Sequence, residues 1–416
     1  MAFYSDSKVS THIVDPVTHR VGFLTEFHIT NRDSAILTNM KLVNLGVTSA
    51  SPSKYNALGG ALNCIKRIRL MDGRAELDSL NNVKSWVGFQ NIRETNAKEV
   101  SVQASLKKTS LGFALKAQAS ENTIKPYYAG PDVTSVEDTT PSAYVDLRQL
   151  FPLLQETESL HTTIFKNLRI VIEWESDQKL VLQKNDGPGT VQAITPALIY
   201  DVIEDESIGM KLMADKSVEY NQIEHDEFVV GAITVAGGGD PKKQTTQVKL
   251  NGFNNKKVER ILMSAEYQDV TKNFASNDII GFGASGCVCG FKSNQQVRVN
   301  GANKLPGVGC DKDNKRLALL TDTWGEIDCY PSANNLGLDR ASTQLKGGLV
   351  PNQMGWFGMY LNEQVSDLQF TYERVGLDEA SATVVSQTNE ALRVHLYGEV
   401  KKILVVENGE YAVKYA

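Results

Sequence analysis

One strand pattern occurs once in each half of this chain, and it constrains the fold more than any other feature. Leu168-Arg169-Ile170-Val171-Ile172-Glu173-Trp174 places Leu168, Ile170, Ile172 and Trp174 on one face of an extended strand. Leu368-Gln369-Phe370-Thr371-Tyr372-Glu373 does the same with Leu368, Phe370 and Tyr372, because successive side chains of a strand point to opposite faces. Each run follows a stretch rich in Gln, Glu, Asn and Ser, and each leads through a loop and further strands to a closing strand, residues 197–204 in one case and 411–415 in the other. The chain reads as two β units in tandem. With 416 residues, each half is large enough to bury a core without disulfides or metal ions.

Strand signals dominate elsewhere. Residues 19–31 alternate, with Val21, Phe23, Thr25, Phe27 and Ile29 on one face, and residues 39–47 read as the partner or continuation. Residues 64–71 form a strand with Lys66, Arg67 and Arg69 among its apolar positions, closed by a tight Asp72-Gly73 turn. Leu77, Leu80, Val83 and Val87 recur at three- and four-residue steps and predict a helix over 75–89, with Trp86 alongside. A short helical or mixed segment is expected around Phe151-Pro152-Leu153-Leu154.

In the second half, strands are expected at 227–236, 247–250 and 258–267, the last resembling 64–71. Strand-like pieces also occur at 287–291, 296–299 and 317–320, followed by strands at 356–361, 366–374, 392–397 and 402–406. Asn408-Gly409 predicts a final hairpin. Two long excursions, 96–141 and 281–346, interrupt the halves; ordered loops of that length are usually functional. The polar bridge 205–217 marks the boundary, giving domains 1–210 and 211–416.

The site chemistry is sparse. Gly281-Phe282-Gly283-Ala284-Ser285-Gly286 matches a dinucleotide-binding spacing but leads into Cys287-Val288-Cys289, not a helix. Cys64, Cys287, Cys289, Cys310 and Cys329 form neither a disulfide framework nor a zinc-ligand spacing. Asp311-Lys312-Asp313-Asn314 lacks the glycine and distal glutamate of a calcium loop. His12, His19, His28, His161, His225 and His395 contain no closely spaced pair. No nucleophile elbow surrounds Ser285.

Glu173/Glu175 and Glu204/Glu206 are the acidic pairs a carbohydrate-active sandwich would use; solvated strand edges are the commoner reading. The four tryptophans, Trp86, Trp174, Trp324 and Trp356, fit core anchors. The net charge of −6 argues against a dedicated nucleic-acid binder. With no secretory signal and no apolar run of spanning length, the chain is expected to be soluble and made in the cytosol. These readings predict no catalytic, cofactor or metal residue, no cofactor, and no enzyme.

The segment Ile65-Lys66-Arg67-Ile68-Arg69-Leu70-Met71-Asp72-Gly73-Arg74-Ala75-Glu76-Leu77-Asp78-Ser79-Leu80 resembles the first roll of double jelly-roll major capsid proteins, most nearly those of Polinton-like viruses and virophages. Ile164-Phe165-Lys166-Asn167-Leu168 through Trp174 resembles their late strand. The resemblance spans essentially the whole chain. It implies an all-β fold of two tandem eight-stranded jelly rolls with short inserted helices and long loops. It further implies homotrimeric, pseudo-hexagonal capsomers in an icosahedral virion, contacting neighbouring capsomers, penton and minor or cement proteins. An internal membrane beneath the shell is a further possible partner, and sequence-specific nucleic acid is not. The excursions would build outer towers or intersubunit contacts, and residues 2–18 an inner arm. The alternative is a carbohydrate-active or carbohydrate-binding β-sandwich.

Overall fold

The computed structural model describes residues 8–20, 22–29, 35–45, 47–48, 53–55, 60–94, 132–133, 143–175, 182–184, 187–188, 192–193, 195–204, 216–233, 243–268, 293–311, 313–325, 357–375 and 391–416. The first half contributes β1 (Lys8–Val14), β2 (Thr18–Arg20), β3 (Leu24–His28), β4 (Ala35–Leu45), β5 (Ile65–Asp72), β6 (Ala75–Asn81), helix α1 (Val83–Glu94), β7 (Ala143–Asp146), helix α2 (Pro152–Thr157), β8 (Ser159–His161), β9 (Leu168–Trp174) and β10 (Ala197–Glu204). The second contributes β11 (Lys216–Val230), β12 (Lys243–Leu250), β13 (Lys256–Tyr267), β14 (Ser293–Val299), β15 (Ala302–Asn303), helix α3 (Asp313–Trp324), β16 (Phe357–Val365), β17 (Leu368–Val375), β18 (Leu392–Glu407) and β19 (Glu410–Tyr415). A few shorter pairings lie outside the main sheets.

Each half is a pair of antiparallel sheets. In the first, one sheet runs β1-β10-β4-β7, with β8 also on β4, and the other β2-β3-β9-β5-β6. In the second the orders are β11-β18-β13-β16, with β19 on β18, and β12-β17-β14-β15. The two are the same arrangement. β1, β3, β4, β5, β6, β7 with β8, β9 and β10 correspond in turn to β11 through β18. This is the jelly roll, written twice. Among the described residues no sheet joins a strand before residue 205 to one after 215.

Alternation explains the packing. Leu168, Ile170, Ile172 and Trp174 are all buried, as are Leu368, Phe370 and Tyr372, so both signature strands hold the centre of their sheets. Burying a Leu, Ile or Phe side chain contributes about 1.5–3 kcal/mol. Asparagine supplies most of the positive φ found outside glycine: Asn82, Asn255, Asn300 and Asn408 at strand ends, and Asn39, Asn44 and Asn362 inside β4 and β16 where the pairing register shifts, a region asparagine tolerates better than most residues. Asn408 (φ 53°) and Gly409 (φ 78°) together make the predicted last hairpin.

Several sequence expectations are corrected. The described part of the expected strand 19–31 is not one strand but a hairpin, β2 and β3, with Gly22-Phe23 between them, so Phe23 is exposed. β4 does not pair with β3; it sits in the opposite sheet beside β10. The helix starts at Val83, and Ala75–Asn81 is strand β6. Residues 317–320 belong to helix α3 rather than a strand. Residues 392–406 form one unbroken strand. Residues 258–267 are equivalent to β4, not to 64–71, whose counterpart is β14. The counterpart of β10 is β18, and the closing strand β19 is an addition. Residues 8–14 of the expected arm are a sheet strand. The dinucleotide-like glycines, Cys287, Cys289, Cys329, Trp356, Glu206, nearly all of 96–141 and about half of 281–346 lie outside the described residues; the described part of 281–346 carries β14, β15 and α3.

Candidate functional site

For a chain of this architecture the surfaces that matter are the seam between the rolls and the outer strand edges. The seam is aromatic. Helices α1 and α3 occupy equivalent places, each following the β hairpin of its roll, and they meet. Trp86 and Trp324 lie edge to face with centroids 5.5 Å apart. Phe89 stands against Trp324 at 5.6 Å and Tyr397 against Trp86 at 5.6 Å. Trp324 can dock because position 358 is glycine: a Cβ there would lie 2.7 Å from its ring.

Polar bonds cross the same seam. Tyr220 donates its hydroxyl to the Leu77 carbonyl at 2.6 Å, and Tyr397 to that of Asn82 at 2.8 Å. Gln222 Nε2 donates to Ser79 Oγ at 2.9 Å. Within the second roll, beside the seam, Arg260 grips Glu399 through two bonds of 2.6 and 2.9 Å and lies 4.0 Å over the Trp324 ring. It also donates to the Thr323 carbonyl near the C-terminus of α3, where a cation suits the helix dipole. A polar cavity of about 480 Å³ opens beside this cluster, lined by Gln90, Arg148, Gln155, Glu219, Asn221 and Arg260 among others.

Asp78 is fully buried on β6, close to this seam. Its two oxygens accept the backbone N–H groups of Ser79 and Leu153, each at 2.8 Å. Helix α2 begins with Pro152, which has no N–H, and Phe151 offers no side-chain cap. Asp78 therefore supplies the cap from another element. Burial pushes its carboxyl up to about 7, against the pull of those two N–H donors and the Lys402 charge.

The outer edge is different. β1 forms one margin of its sheet, pairing along its whole length with β10. Thr11 and Asn39 both donate to Asp201, at 2.7 and 2.8 Å, and hold that carboxyl below its ordinary range. Val9 and Ile13 point outward on either side of Thr11, and Val17 and Phe23, which flank β2 in the other sheet, are exposed as well; all four are more than half exposed, Ile13 at 70%.

The structure also places the residues weighed in the sequence. Trp86, Trp174 and Trp324 are buried anchors. Glu173 is paired with Arg69 at 2.9 Å and Glu204 lies 4.0 Å from Lys8, so each carboxylate faces a cation on the neighbouring strand. Asp311 binds Lys315 at 2.5 Å at the start of α3. Cys64 and Cys310 are buried thiols, with Cys64 pushed up to about 12 by burial. His225 and His395, far apart in sequence, stand 3.1 Å apart with Glu227 beside them. Local spacing gives no hint of that cluster, because only the β11–β18 register creates it.

No family model and no curated protein matches this sequence. Solved structures do match in three dimensions. The PBCV-1 VP54 structure fitted into a reconstruction of the virophage Sputnik superposes with TM-score 0.58 at 10% identity, covering 99% of this chain and 97% of the other. The Faustovirus major capsid protein gives 0.54 at 8% identity over 96% and 91%. The mavirus major capsid protein gives 0.51 at 8% over 97% and 90%. The fold is that of the double jelly-roll major capsid proteins. A double jelly roll is therefore established here by strand order and by superposition together. At these identities the likeness speaks for architecture, and the chain's role is a separate argument. Among the described residues no helix is long and apolar enough to cross a membrane.

Proposed function

We propose that the chain is a viral major capsid protein that self-assembles into pseudo-hexagonal homotrimeric capsomers of an icosahedral shell. The observation that carries this reading is the two-fold repetition of the roll over nearly the entire chain, matched end to end by capsid proteins. Two similar rolls per subunit present six similar faces per trimer, which suits hexagonal packing. The rigid aromatic seam supports it, since a capsomer needs the two rolls held at one angle. The exposed apolar pair Val9 and Ile13 on one face of the edge strand β1 supports self-association, because outward apolar side chains on an edge are suited to a contact surface.

In this reading the domains are 1–210 and 211–416, the role is structural rather than enzymatic, and the protein resides in the virion after assembly in a host cell. Penton and minor or cement proteins, and a membrane under the shell, would be the further partners.

Size-exclusion chromatography with light scattering, followed by negative-stain imaging of the same peak, tests the reading. The expected result is a mass three times that of the chain and a hexagonal outline. A monomer across the accessible concentration range, with no larger assemblies, would overturn it.

A further inference from the structure

The cluster on the third sheet has the make-up of a metal site. His225 and Glu227 are two apart on β11 and so share a face. Glu227 lies directly across the ladder from His395 on β18. His225 Nε2 is 3.1 Å from His395 Nδ1, and His395 Nδ1 is 3.4 Å from Glu227 Oε2. All three candidate ligand atoms lie within 4.8 Å of one another.

Those separations match a known geometry. A tetrahedral zinc ion with bonds of about 2.0–2.1 Å holds its ligand atoms about 3.3–3.4 Å apart. Two edges of that tetrahedron are thus already set before any ion is considered. Two imidazoles and one carboxylate are also the donor set that borderline divalent ions prefer.

The surroundings hold the donors in place. β11 and β18 pair over fifteen consecutive residues. His395 is buried at 2% exposure, whereas the Glu227 side chain is about half exposed, at 49%. The cluster is therefore fixed on one side and open to water on the other. The Tyr397 ring packs on His225 at 5.0 Å. On the far side of β18, Ser264 of β13 is the cross-strand neighbour of His395. Its hydroxyl is buried and has no hydrogen-bond partner among the described residues, so it is available to orient a ligand or a bound water. Arg393 is the nearby competing cation acting on Glu227.

We infer that His225, Glu227 and His395 form a binding site for a zinc-class divalent cation, with water or a fourth donor completing the shell. The ion replaces the proton that otherwise lies between the two imidazoles, and that proton is released. It cross-links β11 to β18 at the edge of the second roll. This inference does not rest on the capsid reading, since it needs only the folded chain.

The test is a titration of chelator-treated full-length protein with Zn2+ by calorimetry and with Co2+ by visible absorption. His225→Ala and Glu227→Gln are tested alongside, both at positions outside the core. The wild type is expected to bind one more equivalent than His225→Ala, to show tetrahedral Co2+ bands that this variant lacks, and to gain thermal stability with Zn2+ where the variant does not. Glu227→Gln should bind at least tenfold more weakly. Because the comparison is by difference, cysteine-bound metal cancels. Equal stoichiometry and equal bands in wild type and His225→Ala, or no binding to the wild type at micromolar Zn2+, would overturn the assignment.

Discussion

Trp86 on α1 and Trp324 on α3 meet edge to face across the seam, at 5.5 Å and 75°. They come from equivalent helices of the two rolls, so the repeat that builds the fold also supplies its internal joint. Truncating either ring should cost about 3–5 kcal/mol, as for buried aromatics generally. The two losses should not add. A double-mutant cycle of Trp86→Ala and Trp324→Ala in urea is expected to show about 1 kcal/mol of coupling. Strict additivity would mean the rings do not stabilise one another.

The Arg260–Glu399 pair makes a sharper demand. Glu399 is buried at 7% and held by two hydrogen bonds. Arg260→Met keeps much of the apolar stem but strips both guanidinium bonds from a buried carboxylate, which should cost about 3–5 kcal/mol. Replacing both, Arg260→Met with Glu399→Gln, should recover a large part of the loss. Equilibrium unfolding of the three variants checks this, and a double variant as unstable as the single one would refute the explanation.

Period-two alternation made the signature strands legible, because one face of each meets the core and the other is more polar. It failed where both faces are covered. On β6, Leu77, Asp78, Ser79 and Leu80 are all buried, since Gln222 reaches Ser79 and α2 caps onto Asp78 while the leucines enter the core. The three-residue step from Leu77 to Leu80 then imitates a helix. In α3 the run Leu317-Ala318-Leu319-Leu320 is too short for periodicity to separate helix from strand. β18 looked broken at Gly398, yet that glycine is demanded by packing: the Phe253 ring lies where its Cβ would be. The histidine cluster was invisible for a different reason, because no local pattern encodes a register between residues 170 positions apart.

Asp78 gives the chain a specific pH dependence. Its folded-state value of about 7 lies above its ordinary 3.8, so between those values the folded protein holds a proton that the unfolded chain has lost. Stability from this group is complete below about pH 4, declines as pH rises, and is gone above about pH 7. The rise corresponds to at most ~4 kcal/mol. Asp78→Asn removes the titration, but its amide nitrogen must then face one of the two N–H donors. The variant should be less stable at about pH 5 and show a flatter profile up to about pH 7.5. Urea midpoints across that range decide it; parallel profiles for the two proteins would rule Asp78 out as the source.

Val9 and Ile13 offer the most direct approach to assembly. Both project outward from β1, whose attachment comes from its backbone ladder to β10, the Thr11–Asp201 bond and the stacking of His12 on Tyr200. Neither apolar side chain contributes to a core. Val9→Ser with Ile13→Ser should therefore leave the unfolding midpoint within about 0.5 kcal/mol of the wild type. If these side chains are covered by a neighbouring subunit, the same pair should weaken association by at least about 2 kcal/mol, more than tenfold in the dissociation constant. Sedimentation over a dilution series separates the two effects. Unchanged assembly with unchanged stability would exclude this edge from the subunit contact and direct attention to the exposed Tyr360 and Val308 of the second roll.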